Sequence, residues 1–404
     1  MKRRVLCAAL CMGLLLCVGC VPTAPANNPS VTTTTTTATQ SSVPETEMRA
    51  VWFAFSDIRA LIGGKSVADA KLALDTAMQQ AADFGLNTVI FHVRASSDAY
   101  YDSDLFQPAA SVKDLLAAGF DPLAWAIESA HRNGLKLHAW INPYRIGADK
   151  SFAVCDDIFE YAGKYYYVPT SAAAQTAILN GVREVLAYNV DGLQFDDYFY
   201  PAGGVDATAP AAFEQADYTA YTADGGTASV GDWRRSHVSA FVRAVYALVH
   251  QTPNRVFGIS PSGNQTANVE QMYADTALWM AQAGYVDYMT PQLYYGFDHQ
   301  DAPFADKAAQ WSAYPRDPSV ALYIGLALYK AGIGTDANAG TGAGEWSAHD
   351  DVLARQVTHL RQDARIGGFM LFRQAHLTAT ALRETAFDAD IAAKELKHLK
   401  QMLQ

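Results

Sequence analysis

Cysteine is nearly missing from the body of this 404-residue chain. Cys7, Cys11, Cys17 and Cys20 all lie in the first twenty residues, and only Cys155 follows. A disulfide framework is therefore excluded as the source of stability. Basic clusters are missing as well. With Lys2, Arg3 and Arg4 set aside, 27 Lys and Arg face 41 Asp and Glu, a net −14. That balance excludes nucleic acid as a partner, and excludes binding to an anionic membrane through charge. The longest N-terminal apolar run, Val5 to Val18, is too short for a comfortable membrane span. There is no HxH or HExxH pair. Gly258-Ile259-Ser260-Pro261-Ser262 lacks the second glycine of a serine-hydrolase elbow, and a complete phosphate-binding loop is missing around Gly63-Gly64. No cofactor and no resident metal are expected.

What the N-terminus does contain is a basic start, an apolar stretch and the close Leu16-Cys17-Val18-Gly19-Cys20. This reads as a secretory signal over residues 1–20, and its end resembles a bacterial lipobox in which Cys20 becomes the lipidated residue. An ordinary signal cleaved nearby is the alternative. Residues 21–47 are rich in Thr, Ser, Pro and Ala, with six threonines in a row at Thr32 to Thr37. Such a composition cannot bury enough apolar surface to offset its ordering entropy, so a disordered tether is expected. The expectation is an extracytoplasmic lipoprotein held to the membrane by its lipid anchor.

Residues 48–404 form the predicted folded domain. Half of the whole chain is hydrophobic and 11% is aromatic, enough for a large core. Strand and helix patterns alternate eight times. The strands are placed near Arg49–Phe55, Thr88–Arg94, Lys136–Asn142, Asp191–Asp196, Val256–Ser260, Val286–Gln292, Ala321–Ala327 and Gly367–Phe372. Helix-to-strand links are short, whereas strand-to-helix links are long at 95–121, 143–170, 198–231 and 328–349. This predicts an α/β fold, a single (β/α)8 TIM barrel with long loops on its C-terminal face. A doubly wound sheet is the alternative.

The chain is organised around DGLQFDDYFYP, Asp191 to Pro201. Period 2 turns Leu193 and Phe195 outward under helices, and Gln194 and Asp196 toward the barrel axis. Adjacent acids at a strand's carboxyl end repel each other, which a structural role seldom needs. Asp196 and Asp197 are thus the catalytic candidates. The same alternation aims His92 and Arg94, then His138, Trp140 and Asn142, then Gln292, into one cavity. Tyr144, Tyr198 and Tyr294 add flat faces near carboxyl ends. A lining so rich in hydrogen-bonding groups predicts a polar ligand, for which a sugar is well suited. A metal site built from His92, His138 and Asp196 is a second reading, disfavoured by the cation of Arg94. A sugar-binding barrel without catalysis is a third.

The series MRAVWFAF, GLNTVIFHVRASSDAYYDSDLFQP, LHAWINPYR, DGLQFDDYFYP, GISPSGN, YVDYMTPQLYY and GGFMLFRQ resembles the glycoside-hydrolase-like family-ten barrels, from about Arg49 to Arg373. These are exported bacterial proteins, many of them lipoproteins. Some resemble enzymes that cut peptidoglycan glycan strands stripped of stem peptides. The resemblance implies a glycoside hydrolase with a polysaccharide substrate, N-acetylated peptidoglycan strands being the leading choice. Two mechanisms stay open. One sets Asp196 across the bond from a second carboxylate, at about 5–5.5 Å for retention or 6.5–9.5 Å for inversion. Asp98, Asp298 and Glu345 are the candidate partners. The other uses the substrate's acetamido group as nucleophile, with Asp196 stabilising the charge and Asp197, raised by ionised Asp196, as the acid.

Overall fold

Along Thr88–Arg94, Val89, Phe91 and Val93 face one way while Ile90 and His92 face the other, and all are buried. A strand covered on both faces belongs in a parallel sheet wrapped by helices. The computed structural model describes residues 47–381 and 386–404. The expected signal segment, Cys20 and the tether as far as residue 46 lie outside the described residues.

The barrel strands, in chain order, are β1 (Met48–Phe53), β2 (Thr88–Arg94), β3 (Lys136–Ile141), β4 (Gly192–Phe195), β5 (Val256–Ile259) and β6 (Tyr288–Met289). They are followed by β7, in two pieces at Ala321–Leu322 and Ile324–Leu326, and β8 (Gly368–Phe372). Every neighbouring pair is parallel. The first piece of β7 pairs with β6 and the second with β8, so the ring is nearly closed, with its seam at Tyr323. The break in β7 makes nine hydrogen-bonded strands where eight were expected. Regular pairing in β6 is shorter than predicted because Pro291 has no N–H for the ladder. Its line resumes as single bridges from Gln292 to Ser262 and Gly325.

Two apolar layers follow from the alternation. Val51, Phe53, Leu137, Ile141, Leu193 and Phe195 join the large outer cluster between strands and helices. Ala50, Trp52, Ile90, Trp140, Tyr288 and Met370 pack together on the other side of the same strands, inside the ring. Gly258 leaves room for the Tyr288 ring, which a Cβ there would overlap. Helices start where the sequence offers caps. Ser66 accepts from Asp69 N, Asp121 from Leu123 N, Ser171 from Ala174 N and Ser229 from Asp232 N, each satisfying an orphan helix donor. Between β5 and β6 the helical layer is two short helices, Gln265–Glu270 and Thr276–Ala281, the second capped by Asp275.

Two insertions build the rim. Within 143–170, strands Arg145–Gly147, Ile158–Tyr161 and Lys164–Tyr167 form an antiparallel sheet. Within 198–231, helix Gln215–Ala223 is tied down by a fully buried pair, Glu214 and Arg234. Arg234 also donates to Tyr273 Oη at 2.8 Å, and Tyr200 Oη donates to Glu214 at 3.1 Å. The pair thereby fastens the insertion to the segment that follows Asp197.

Candidate active site

β4 ends at Phe195, and the next two residues open into a cleft of about 360 Å3 at the carboxyl ends of the strands. That volume lies in the range of small-ligand sites. Asp196 and Asp197 are the only carboxylates among the described residues that line it. β3 contributes Trp140 and, just beyond it, Asn142, while β1 contributes Trp52 and β2 His92. Gln292, Tyr294 and Ser260 complete the opposite wall.

The walls are held by hydrogen bonds that fix their polar groups. Trp140 Nε1 donates to Asn142 Oδ1 at 3.0 Å, and Asn142 Nδ2 donates to Ala95 O at 3.1 Å. Gln292 Nε2 donates to Ser260 O at 3.0 Å. Tyr198 N donates to Asp196 Oδ1 at 3.3 Å. His92 lies flat on Trp140, and neither of its buried ring nitrogens has a hydrogen bond of normal geometry. Ser260 Oγ is likewise buried without a partner. At the mouth, Phe55 and Tyr198 are 36% and 43% exposed, two of only four large apolar side chains so exposed among the described residues. They offer flat faces at the entrance.

Burial dominates the electrostatics. It pushes Asp196 well above the usual carboxylate range, and the neighbouring charge of Asp197 raises it further. Asp197 is pushed up to about 6, again by burial, with its own backbone and Gln292 opposing. The expected order is thus reversed. Asp197 ionises first, and the repulsion of a second charge falls on the deeper Asp196. Burial drives His92 well below its ordinary value, so the ring is neutral.

Three predicted site residues do not line the cleft. Arg94 shares the parity of His92, but the β2–β3 register slips between His92 and Arg94, pairing Arg94 with outward-facing Ile141. This β-bulge turns the guanidinium out of the ring to lie over Phe106, 4.2 Å from its centroid, against Gly181. His138 faces inward, but one layer too deep. Its Nδ1 is 3.0 Å from Tyr288 Oη, and burial lowers its pKa to about 4. The His92, His138 and Asp196 set is not gathered as a metal would require, and no such cluster of three occurs among the described residues. Tyr144 packs outside the ring on Phe199 and Phe241.

Nor do the alternative acids reach the cleft lining. Glu345 accepts from Phe297 N and Asp298 N, both at 3.0 Å, and so fixes that loop. Asp298 is exposed. Asp98 is half-buried in a two-residue strand, with a pKa raised by burial. Sequence reasoning missed Arg145, Ser56 and Arg373 on the lining. Both arginines stood inside quoted motifs, but no periodicity governs where a loop side chain turns.

Comparison with known proteins agrees with this geometry. Glycosyl hydrolase YngK of Bacillus subtilis is 31% identical over 83% of this chain and 70% of that protein. Glycosyl hydrolase DigH of Escherichia coli is 26% identical over 93% of both chains. The glycoside hydrolase domain of PgaB (BpsB) from Bordetella bronchiseptica shares the fold at 13% identity. Its TM-score is 0.54, over 80% of this chain and 93% of that one. The model of the family glycosyl hydrolase-like 10 matches residues 47–340. With strand ends, cleft and sequence all in agreement, the chain belongs to the glycosyl hydrolase-like 10 family.

Proposed function

We propose that the protein is an exported, lipid-anchored glycoside hydrolase that cuts N-acetylated peptidoglycan glycan strands. The observation carrying this reading is the adjacent Asp196–Asp197 pair, the sole carboxylates lining the cleft among the described residues. A mechanism with carboxylates on opposite sides of the bond needs a second acid that the lining does not offer. The substrate's own acetamido oxygen supplies the nucleophile instead.

In the free protein the proton sits on Asp196. An acetamido N–H placed against Asp196 favours its ionised form and moves that proton to Asp197. Asp197 then protonates the glycosidic oxygen as the acetamido oxygen bonds to the anomeric carbon and the C–O bond breaks. Ionised Asp196 faces the resulting oxazolinium. Asp197, now a carboxylate, takes a proton from the water that opens the ring, and configuration is retained. Phe55 and Tyr198 stack on sugar rings at the entrance.

The test is mass spectrometry of products from peptide-free glycan strands incubated with the protein, together with the anomer first formed. Retained product and inhibition by an oxazoline-mimicking thiazoline are expected. Inverted product, or a glycosyl azide formed by Asp196→Gly in azide, would instead require a conventional second carboxylate. Binding without turnover would favour a non-catalytic sugar-binding barrel.

A further inference from the structure

Two cations line the cleft, and they are held differently. Arg373 is neutralised: it lies 2.9 Å from buried Asp57 and donates to Ser56 Oγ. Arg145 makes no ion pair among the described residues. Its Nε is buried without a hydrogen bond, and its guanidinium lies over the Tyr198 ring, 5.6 Å from the centroid. The antiparallel insertion strand Arg145–Gly147 carries it to the wall beside Asp196. An arginine placed to neutralise the acids would stand within ion-pair reach of one of them and hold it ionised. Arg145 does neither, since its field only moderates Asp196, which stays well above the usual range. Asp98 and Asp196 act on the half-buried guanidinium only through space, without an ion pair, so its donors lack the anion that a neutral sugar would not supply. Its planar fork matches a carboxylate.

We infer that Arg145 forms a carboxylate-binding subsite, which selects glycans bearing a free carboxylate on a sugar next to the bond being cut. The inference rests on the glycan-strand reading above. In such strands the lactyl group of the muramic acid residue supplies that carboxylate, and joining a peptide to it by an amide removes the charge. Arg145 is therefore a specificity-determining residue. It moves no proton in the reaction.

The experiment compares two ligands on the full-length protein. One is an N-acetylglucosamine–N-acetylmuramic acid disaccharide, and the other is the same disaccharide with its carboxyl reduced to the alcohol. Calorimetric titration of the unaltered protein is expected to favour the carboxylate form by about tenfold or more, as a charge-assisted pair should. In Arg145→Gln the preference should vanish while binding of the alcohol form is unchanged. Equal binding of both forms by the unaltered protein overturns the inference and needs no folded variant. An undiminished preference in Arg145→Gln overturns it too. Hydrolysis of glycan strands is scored separately. Turnover without carboxylate preference would remove the subsite and leave the hydrolase. Preference without turnover would remove the hydrolase and leave the subsite.

Discussion

The imidazole of His92 lies on the indole of Trp140, ring centroids 3.5 Å apart and 9° from parallel. The stack holds the indole N–H toward Asn142, and both buried His92 nitrogens are left without a hydrogen bond of normal geometry. His92→Phe should preserve the stack, keeping the melting temperature within about 2 °C while kcat/KM falls roughly tenfold. His92→Ala should lose both activity and stability. Calorimetric melting and the emission of Trp140 check the pair of variants.

The acid pair gives a definite pH dependence. Turnover needs one proton on the two carboxyls. Below about 6, where Asp197 protonates, the pair carries two protons; above the higher value of Asp196 it carries none. A bell-shaped kcat/KM profile is expected, with its acid limb near 6. Asp196→Asn and Asp197→Asn should each lower the rate by about 10²–10⁴. An acid limb near 4 would show that the pair is not buried as described.

The same carboxyls act against the fold. A carboxyl whose pKa is raised by folding binds its proton more tightly in the native state, so stability falls as pH rises from the unfolded value, near 4, through the folded one. For Asp197 that window ends near 6. Asp197→Asn should therefore melt about 2–4 °C higher than the unaltered protein at pH 7.5, and by no more than about 1 °C at pH 4. Melting curves at the two pH values test the sign.

Cleft residues and buried polar residues should separate experimentally. Asn142→Ala and Gln292→Ala should cut kcat/KM far more than they lower melting. His138→Ala should instead leave Tyr288 Oη short of a partner and destabilise the fold by about 1–3 kcal/mol, with turnover per folded molecule little changed. Denaturant unfolding beside active-site titration distinguishes the two classes.

The Glu214–Arg234 pair is buried on both sides, at 0% exposure. Glu214→Ala strands the guanidinium, and a loss of about 3–5 kcal/mol is expected. Limited proteolysis within 202–229 should then precede global unfolding.

The barrel was legible because outward aliphatics alternate with inward polar or aromatic residues in β1 to β4, and because the long links all follow strands while the links before them are short. Asp196 followed from the same alternation, and Asp197 from its place beside it as a second, repelling acid. The bulge at Arg94 was not legible. TVIFHVR reads as an unbroken two-residue period whether or not one residue is extra, so only the pairing with β3 shows which side the arginine takes. His138 had the right face but the wrong depth, since periodicity reports direction and not layer. Asp98, Asp298 and Glu345 failed as cleft residues because a loop carboxylate goes where tertiary donors take it, as the Phe297 and Asp298 amides take Glu345.

Asp196 and Asp197 hang from consecutive backbone positions. Directly after β4, they are not moved apart by a hinge, domain closure or loop exchange elsewhere in the fold. The rim insertion at 143–170 instead follows β3, so apart from Arg145 it can lengthen, shorten or be replaced while the two acids keep their place. A chimaera carrying another family member's rim on this ring should keep the bond chemistry and change only which strand of sugar is admitted to it.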